Sequence, residues 1–232
     1  KRNCSLYAYL PNALREELHG LIQVFLDEKQ FVGCNGLDIT DEIRVTIAGQ
    51  ACFLLLNRKS HFFKDFTSIL VYPHVYQAPV LNDGPGGMIE ERVQARAGEA
   101  LMRGPVALAW DQVRQGARNQ LDGHNVVMHE FAHVLDFEDG AADGVPEMNA
   151  SAFAAWGKVA GIEYAALKMK ASKRRKTVMD DYGATNPAEF FAVATETFFE
   201  KPKQLKQKHP ELYDELARFY ALNPAAWEKE PT

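Results

Sequence analysis

Residues 124–140, HNVVMHEFAHVLDFEDG, set two histidines and a glutamate into a run that is otherwise mostly apolar. Periodicity predicts a helix over 125–137, closed by Asp139-Gly140. Val126, Val127, Phe131, Ala132, Val134 and Leu135 make that helix apolar on most sides. A buried histidine pair with an acidic neighbour is costly unless it has a partner, and a metal ion is one such partner. His129 and His133 differ by about 40° in direction and about 6 Å in rise. Both imidazoles therefore reach one ion. Glu130 lies about 60° from His133 on the flank of the same face, placed to take a proton from water without being a ligand. The pattern His-Glu-x-x-His is that of metal-assisted hydrolysis, but five residues alone do not establish a site.

A catalytic zinc takes three protein ligands and leaves the fourth position to water. Residues 182–196, YGATNPAEFFAVATE, hold the candidates for the third. Asn186 reads as an N-cap and Pro187 as the first residue of a helix over 186–201. Glu189 then sits in the first turn, just before two phenylalanines. It is either a functional carboxylate or the capping-box partner of Asn186. Glu196 shares its face and is the alternative, as a ligand or as the group that orients a histidine. Asp136 either orients a histidine or ends its helix. His124 lies about 140° from His129 and reads as structural.

The remaining chain predicts helices over 11–29, 41–56, 151–170 and 211–221, the second capped by Thr40 or Asp38. Strands are expected over 66–75, within 88–95, and over 106–110. Helices, a few strands, then helices again indicate an α+β fold around a small mixed sheet, with the histidine helix among surrounding helices. Val106, Ala107, Leu108, Ala109 and Trp110 read in two ways. They form an exposed edge strand that pairs with an extended peptide, or a central core strand. The Gly-rich segment 82–87 is a candidate gating loop.

A length of 232 residues suits one domain: a helical part (1–65), a catalytic core (66–200) and a C-terminal helical part (201–232). A net charge of -5 gives no general attraction to nucleic acid. The basic cluster 173–176, KRRK, is a solvated loop or a docking patch for an acidic partner. Cys4, Cys34 and Cys52 form neither a disulfide framework nor a cysteine metal site, which suits a reducing cytoplasm. No run is long enough to span a bilayer, and no signal peptide is evident.

HEFAH at 129–133 followed by YGATNPAEFFA at 182–192 resembles the Mlc titration factor A family of zinc metallopeptidases. That family is related to the anthrax lethal factor catalytic domain and belongs broadly with the gluzincins. Gly98-Glu99-Ala100, GPVALAW at 104–110 and DGHNVV at 122–127 extend the resemblance. It implies a zincin-like fold and one Zn2+ per chain, held by His129, His133 and Glu189, with Glu189 preferred to Glu196. It implies Glu130 as general base and Tyr182 as donor to the oxyanion. Tyr182 would otherwise read as an ordinary loop tyrosine. It further implies aminopeptidase-type activity on peptides, a bacterial cytosolic setting, and a link to glucose phosphotransferase regulation through binding of the Mlc repressor.

Two rival readings stand beside it. Glu16-x-x-His19 and Glu130-x-x-His133 are two motifs of the kind that di-iron bundles use. Alternatively, the chain is a module that sequesters a regulator and carries a latent or vestigial zinc site.

Overall fold

The computed structural model describes residues 3–58, 62–64, 66–83, 89–102, 104–119 and 121–228. It is α+β. Helix α1 (Asn12–Glu28) leads into strand β1 (Gln30–Gly33), and α2 (Asp41–Ala51) follows. Strands β2 (Ser68–Tyr72), β3 (Tyr76–Asp83), β4 (Ile89–Arg96), β5 (Gly98–Ala100) and β6 (Val106–Ala109) come next. The rest is helical: α3 (Trp110–Arg118), α4 (Val126–Asp136), α5 (Ala150–Ser172), α6 (Pro187–Glu200), α7 (Pro202–Lys208) and α8 (Pro210–Tyr220).

The main sheet has the order β1-β2-β6-β5. β1, β2 and β6 are parallel, and β5 runs antiparallel to β6 with Gly98 opposite Leu108 and Ala100 opposite Val106. β3 and β4 form a separate antiparallel pair. Asn82 and Asp83 end β3, while the remainder of the suggested gating segment lies outside the described residues.

β6 is thus an interior strand. All four of its residues are buried, and β2 and β5 occupy both of its hydrogen-bonding edges. This corrects the edge-strand reading of Val106, Ala107, Leu108 and Ala109, whose apolar run is that of a parallel strand covered on both faces. Trp110 is not in the strand at all. It opens α3, a helix whose polar face hid it from the apolar count.

Several helices begin where their caps dictate. Thr40 accepts from Ile43 N at the start of α2, which decides between Thr40 and Asp38. Asn125 and Asn186 cap α4 and α6 in the same way, through Met128 N and Glu189 N. Glu16 and His19 lie exposed on α1, where His19 meets Tyr7 at 3.0 Å. Among the described residues they join no metal-capable group, so the di-iron arrangement is not formed.

The core seats α4 from behind. Phe131, on the face of α4 away from the histidines, packs its ring 4.9 Å from Phe63, 5.4 Å from Phe66 and 5.7 Å from Phe25. Lys29 closes this cluster by donating its buried Nζ to the carbonyls of Phe63 and Phe66 at 2.9 and 3.2 Å. The first third of the chain therefore serves as the backing of the histidine helix. Phe131→Ala leaves a cavity at that junction and is expected to cost about 3–5 kcal/mol in urea unfolding. A loss below about 1 kcal/mol would show that α4 is held some other way.

Candidate metal centre

Two apolar helices meet at the site, α4 carrying the histidines and α6 the acids. His129 Nε2 and His133 Nε2 lie 2.9 and 3.3 Å from the same oxygen, Glu189 Oε2. One donor atom from each of the three residues falls within 4.8 Å of the others. Ligands around one small tetrahedral ion are about 3.3 Å apart, so this set fits a single ion, and two imidazoles with a carboxylate suit zinc.

Glu189 is free for this role because the cap is satisfied elsewhere. The Asn186 side chain accepts from Glu189 N at 2.9 Å, and the Glu189 carboxylate turns to the histidines. Burial by itself raises a carboxyl pKa, but hydrogen bonds from His129 and His133 hold Glu189 far below its ordinary range.

Glu196 takes the other side of His129, with Oε1 2.7 Å from Nδ1. The ring is thereby fixed with Nε2 toward Glu189, the role of a carboxylate that orients a metal-binding imidazole. Burial opposes charging of His129, yet Glu196 and Glu189 overcome it and raise the imidazole pKa well above its ordinary value. That unusual basicity reflects two carboxylates facing one ring, a charge surplus that a cation would balance.

A further layer was not evident in the sequence. Asn125 N donates to Glu196 Oε2, and Asn125 Nδ2 to Glu200 Oε1 at 3.1 Å. Gly123 N donates to Glu200 Oε2 at 2.9 Å. One asparagine thus caps α4 and ties it to two acids one turn apart on α6. The legible signal was a glutamate ending the apolar run Glu196-Thr-Phe-Phe-Glu200, since such an acid needs a partner.

Asp136 does not hold a histidine. Its Oδ2 accepts from Gly144 N at 3.0 Å, anchoring the turn that follows α4. Gly144 has φ +77, and a Cβ there would meet Pro187 O at 2.2 Å. Asp136 therefore fixes the close approach of this turn to the start of α6. Burial raises its carboxyl to about 6.

Glu130 is buried and docks on the sheet. Ala100 N donates to its carboxylate, and a Cβ on Gly98 would meet Glu130 Oε1 at 2.6 Å. Gly98 is thus the clearance that lets the carboxylate lie against β5. Burial raises the Glu130 pKa, against the two histidines, which lower it. Tyr182 stands at the rim, 51% exposed, its phenol 3.4 Å from Glu189 Oε1. Asp180 holds its turn by accepting from Tyr182 N at 2.8 Å. Partial burial and then Glu189 push the Tyr182 pKa up to about 12, so the phenol keeps its proton at neutral pH. His124 is not part of the converging donor set, and its Nε2 lies 3.6 Å from Asp180. His129, Glu130, His133, Tyr182, Glu189 and Glu196 line an open cleft of about 730 Å3, floored by α4 and α6 and walled by β5.

Residues 1–221 match the model of the family described as glucose-regulated metallo-peptidase M90, and the chain belongs to that family. It is 44% identical over 220 residues to "Uncharacterized protein slr2042" of Synechocystis, covering 94% of this chain and 80% of that protein. It is 30% identical over 222 residues to Mlc titration factor A of Edwardsiella ictaluri, covering 94% and 84%. Mlc titration factor A of Serratia proteamaculans is also 30% identical, over 204 residues, covering 87% and 77%.

Glu196→Gln keeps the shape but weakens the grip on His129, and is expected to lower metal affinity about 10- to 100-fold in competitive chelator titrations. Unchanged affinity would remove Glu196 from the metal support. Burial pushes the Glu200 carboxyl up to about 8 from 4.5. A raised carboxyl pKa contributes stability fully present below the unfolded value and lost as pH rises through the folded one. In EDTA, the urea midpoint of the parent should therefore fall between about pH 5 and 9 more steeply than that of Glu200→Gln. Parallel profiles would contradict this.

Proposed function

We propose that this chain is a zinc-dependent peptidase of the zincin-like, gluzincin type, with His129, His133 and Glu189 as ligands, Glu130 as general base and Tyr182 as oxyanion donor. The observation that carries the reading is the placement of Glu130. It is buried beside the three converging donors, held by Ala100 N, and open to the same cleft. A site serving only to stabilise the fold has no need of a base there. Zinc, when bound, polarises a carbonyl and brings the pKa of water toward about 7.

The chain's own residues supply the rest. Glu130 accepts the proton of the attacking water and delivers it to the departing amine nitrogen. Gly98 and Ala100 hold that carboxylate in place on β5. The neutral Tyr182 phenol donates to the oxygen that gains charge as water adds to the peptide carbonyl. Its half-exposed position leaves it free to move from Glu189 to that oxygen. β5 is the terminal strand of the main sheet and borders the cleft, so an extended peptide would pair with its open edge.

The same reading takes the chain as one metallopeptidase domain, supported by a buried cluster that runs from Leu6 to Leu222. It places the protein in the cytoplasm, in keeping with the unbridged thiols of Cys34 and Cys52. Among the described residues no helix is long and apolar enough to cross a membrane. Aminopeptidase-type specificity and binding of the Mlc repressor are part of the proposal. The second is supported by the name that two of the relatives carry. Sequestration of a regulator is compatible with catalysis, and a variant that loses one and keeps the other separates them.

On chromogenic aminoacyl and peptide substrates, Glu130→Gln should lose at least about 100-fold in kcat while retaining zinc. Tyr182→Phe should lose about 100-fold in kcat with little change in KM. A zinc-loaded parent no more active than Glu130→Gln across the panel would overturn the peptidase reading and leave the sequestering module.

A further inference from the structure

Helix α5 is apolar around much of its circumference, and a helix of that kind is ordinarily buried. Here only one face is. Trp156 and Leu167 are buried, and Val159, Ala160 and Tyr164 pack against the core. The opposite face carries Ile162 and Met169, which are 59% and 55% exposed. Gly157, Gly161 and Ala165 recur beside them at every fourth position and are exposed. A Cβ added at Gly157 or Gly161 would meet nothing within 4 Å. Neither glycine is required by packing within the chain, and each weakens the helix relative to alanine.

We propose that this face binds a second copy of the same chain, with the two α5 helices crossing antiparallel about a two-fold axis at Gly161. Gly157, Gly161 and Ala165 form the exposed middle of an i+4 ridge, the kind that interdigitates between helices crossing at about −50°. The ridge is symmetric about its centre. Gly157 and Ala165 lie equally far from Gly161. A two-fold axis there sets Gly157 of each copy against Ala165 of the other. The small central residues let the backbones approach closely.

Charge selects both the occupant and its direction. α5 runs at its C-terminal end into Lys173, Arg174, Arg175 and Lys176, all exposed. The segment entering its N-terminal end carries Asp139, Asp143 and Glu147, also exposed. Trp156 Nε1 donates to Gly144 O at 2.9 Å and keeps that acidic segment against the first turns of α5. Antiparallel crossing brings the basic end of each copy to the acidic end of the other. Parallel crossing would set like charges together. The same patch serves both copies, so assembly closes at two. The basic cluster thereby finds its acidic partner in the chain itself.

The test is sedimentation velocity of the full 232-residue chain from about 1 to 100 μM, beside Gly161→Arg. The substitution enters open space and improves helix propensity, so the monomer keeps its fold, as thermal melting by circular dichroism checks. We expect a dimer in the parent that is at least about tenfold weaker in Gly161→Arg, and weaker in high salt. Gly161→Cys should form an oxidised cross-linked dimer that the parent does not, because the axis places the two thiols together. A parent that stays monomeric overturns the proposal and leaves the face to a different partner. A dimer that Gly161→Arg leaves intact overturns it as well. Should Gly161→Arg fail to fold, an absent cross-link in Gly161→Cys overturns it.

Discussion

His129 lies between two carboxylates, Glu189 on Nε2 and Glu196 on Nδ1, and this three-group contact determines how α4 and α6 meet. Neither helix can bury its polar groups alone. α4 would strand two imidazoles and α6 three acids in an apolar interior, each at considerable desolvation cost. Packed together, the helices satisfy one another. Asn125 extends the contact to Glu200, and Asp136 extends it through Gly144 to Pro187. The aromatic cluster behind Phe131 then holds this pair against the first third of the chain. Much of the fold can be read as support for one cluster of charge.

The sheet supplies the other wall. β5 is only three residues long, yet it carries two functions at once. Its inner edge pairs with β6, and Gly98 and Ala100 receive the Glu130 carboxylate. A strand that holds the Glu130 carboxylate and borders the cleft fixes where that carboxylate stands in it. This is why the absence of a side chain at Gly98 matters more than its small size suggests.

Both helices of the site were legible because their signals are local. Asn125 and Asn186 are good caps, Pro187 is a good first residue, and the apolar periodicity between is strong. Spacing brought His129, Glu130 and His133 to one face, and the structure agrees. The choice between Glu189 and Glu196 was not local. It depends on how α6 approaches α4, which periodicity does not contain. β1 and β5 were missed for a related reason. Four and three residues carry too little alternation, and pairing alone makes them strands. Val106–Ala109 reads as strand in any case, but whether it lies at an edge depends on β5, which lacks a signal. Asp136 resembled a partner for His133 because it sits one turn away. Its actual partner, Gly144, lies across a turn stabilised by tertiary packing.

The central claim is that His129, His133 and Glu189 form one metal site. Cobalt(II) reports on it directly, because protein ligands give the ion visible absorption bands that water alone does not. Titrating the metal-free chain with cobalt should produce bands that saturate at one equivalent per chain, bleach when zinc is added, and fail to develop in Glu189→Ala. A parent without bands, or a Glu189→Ala titration indistinguishable from the parent, would contradict the account.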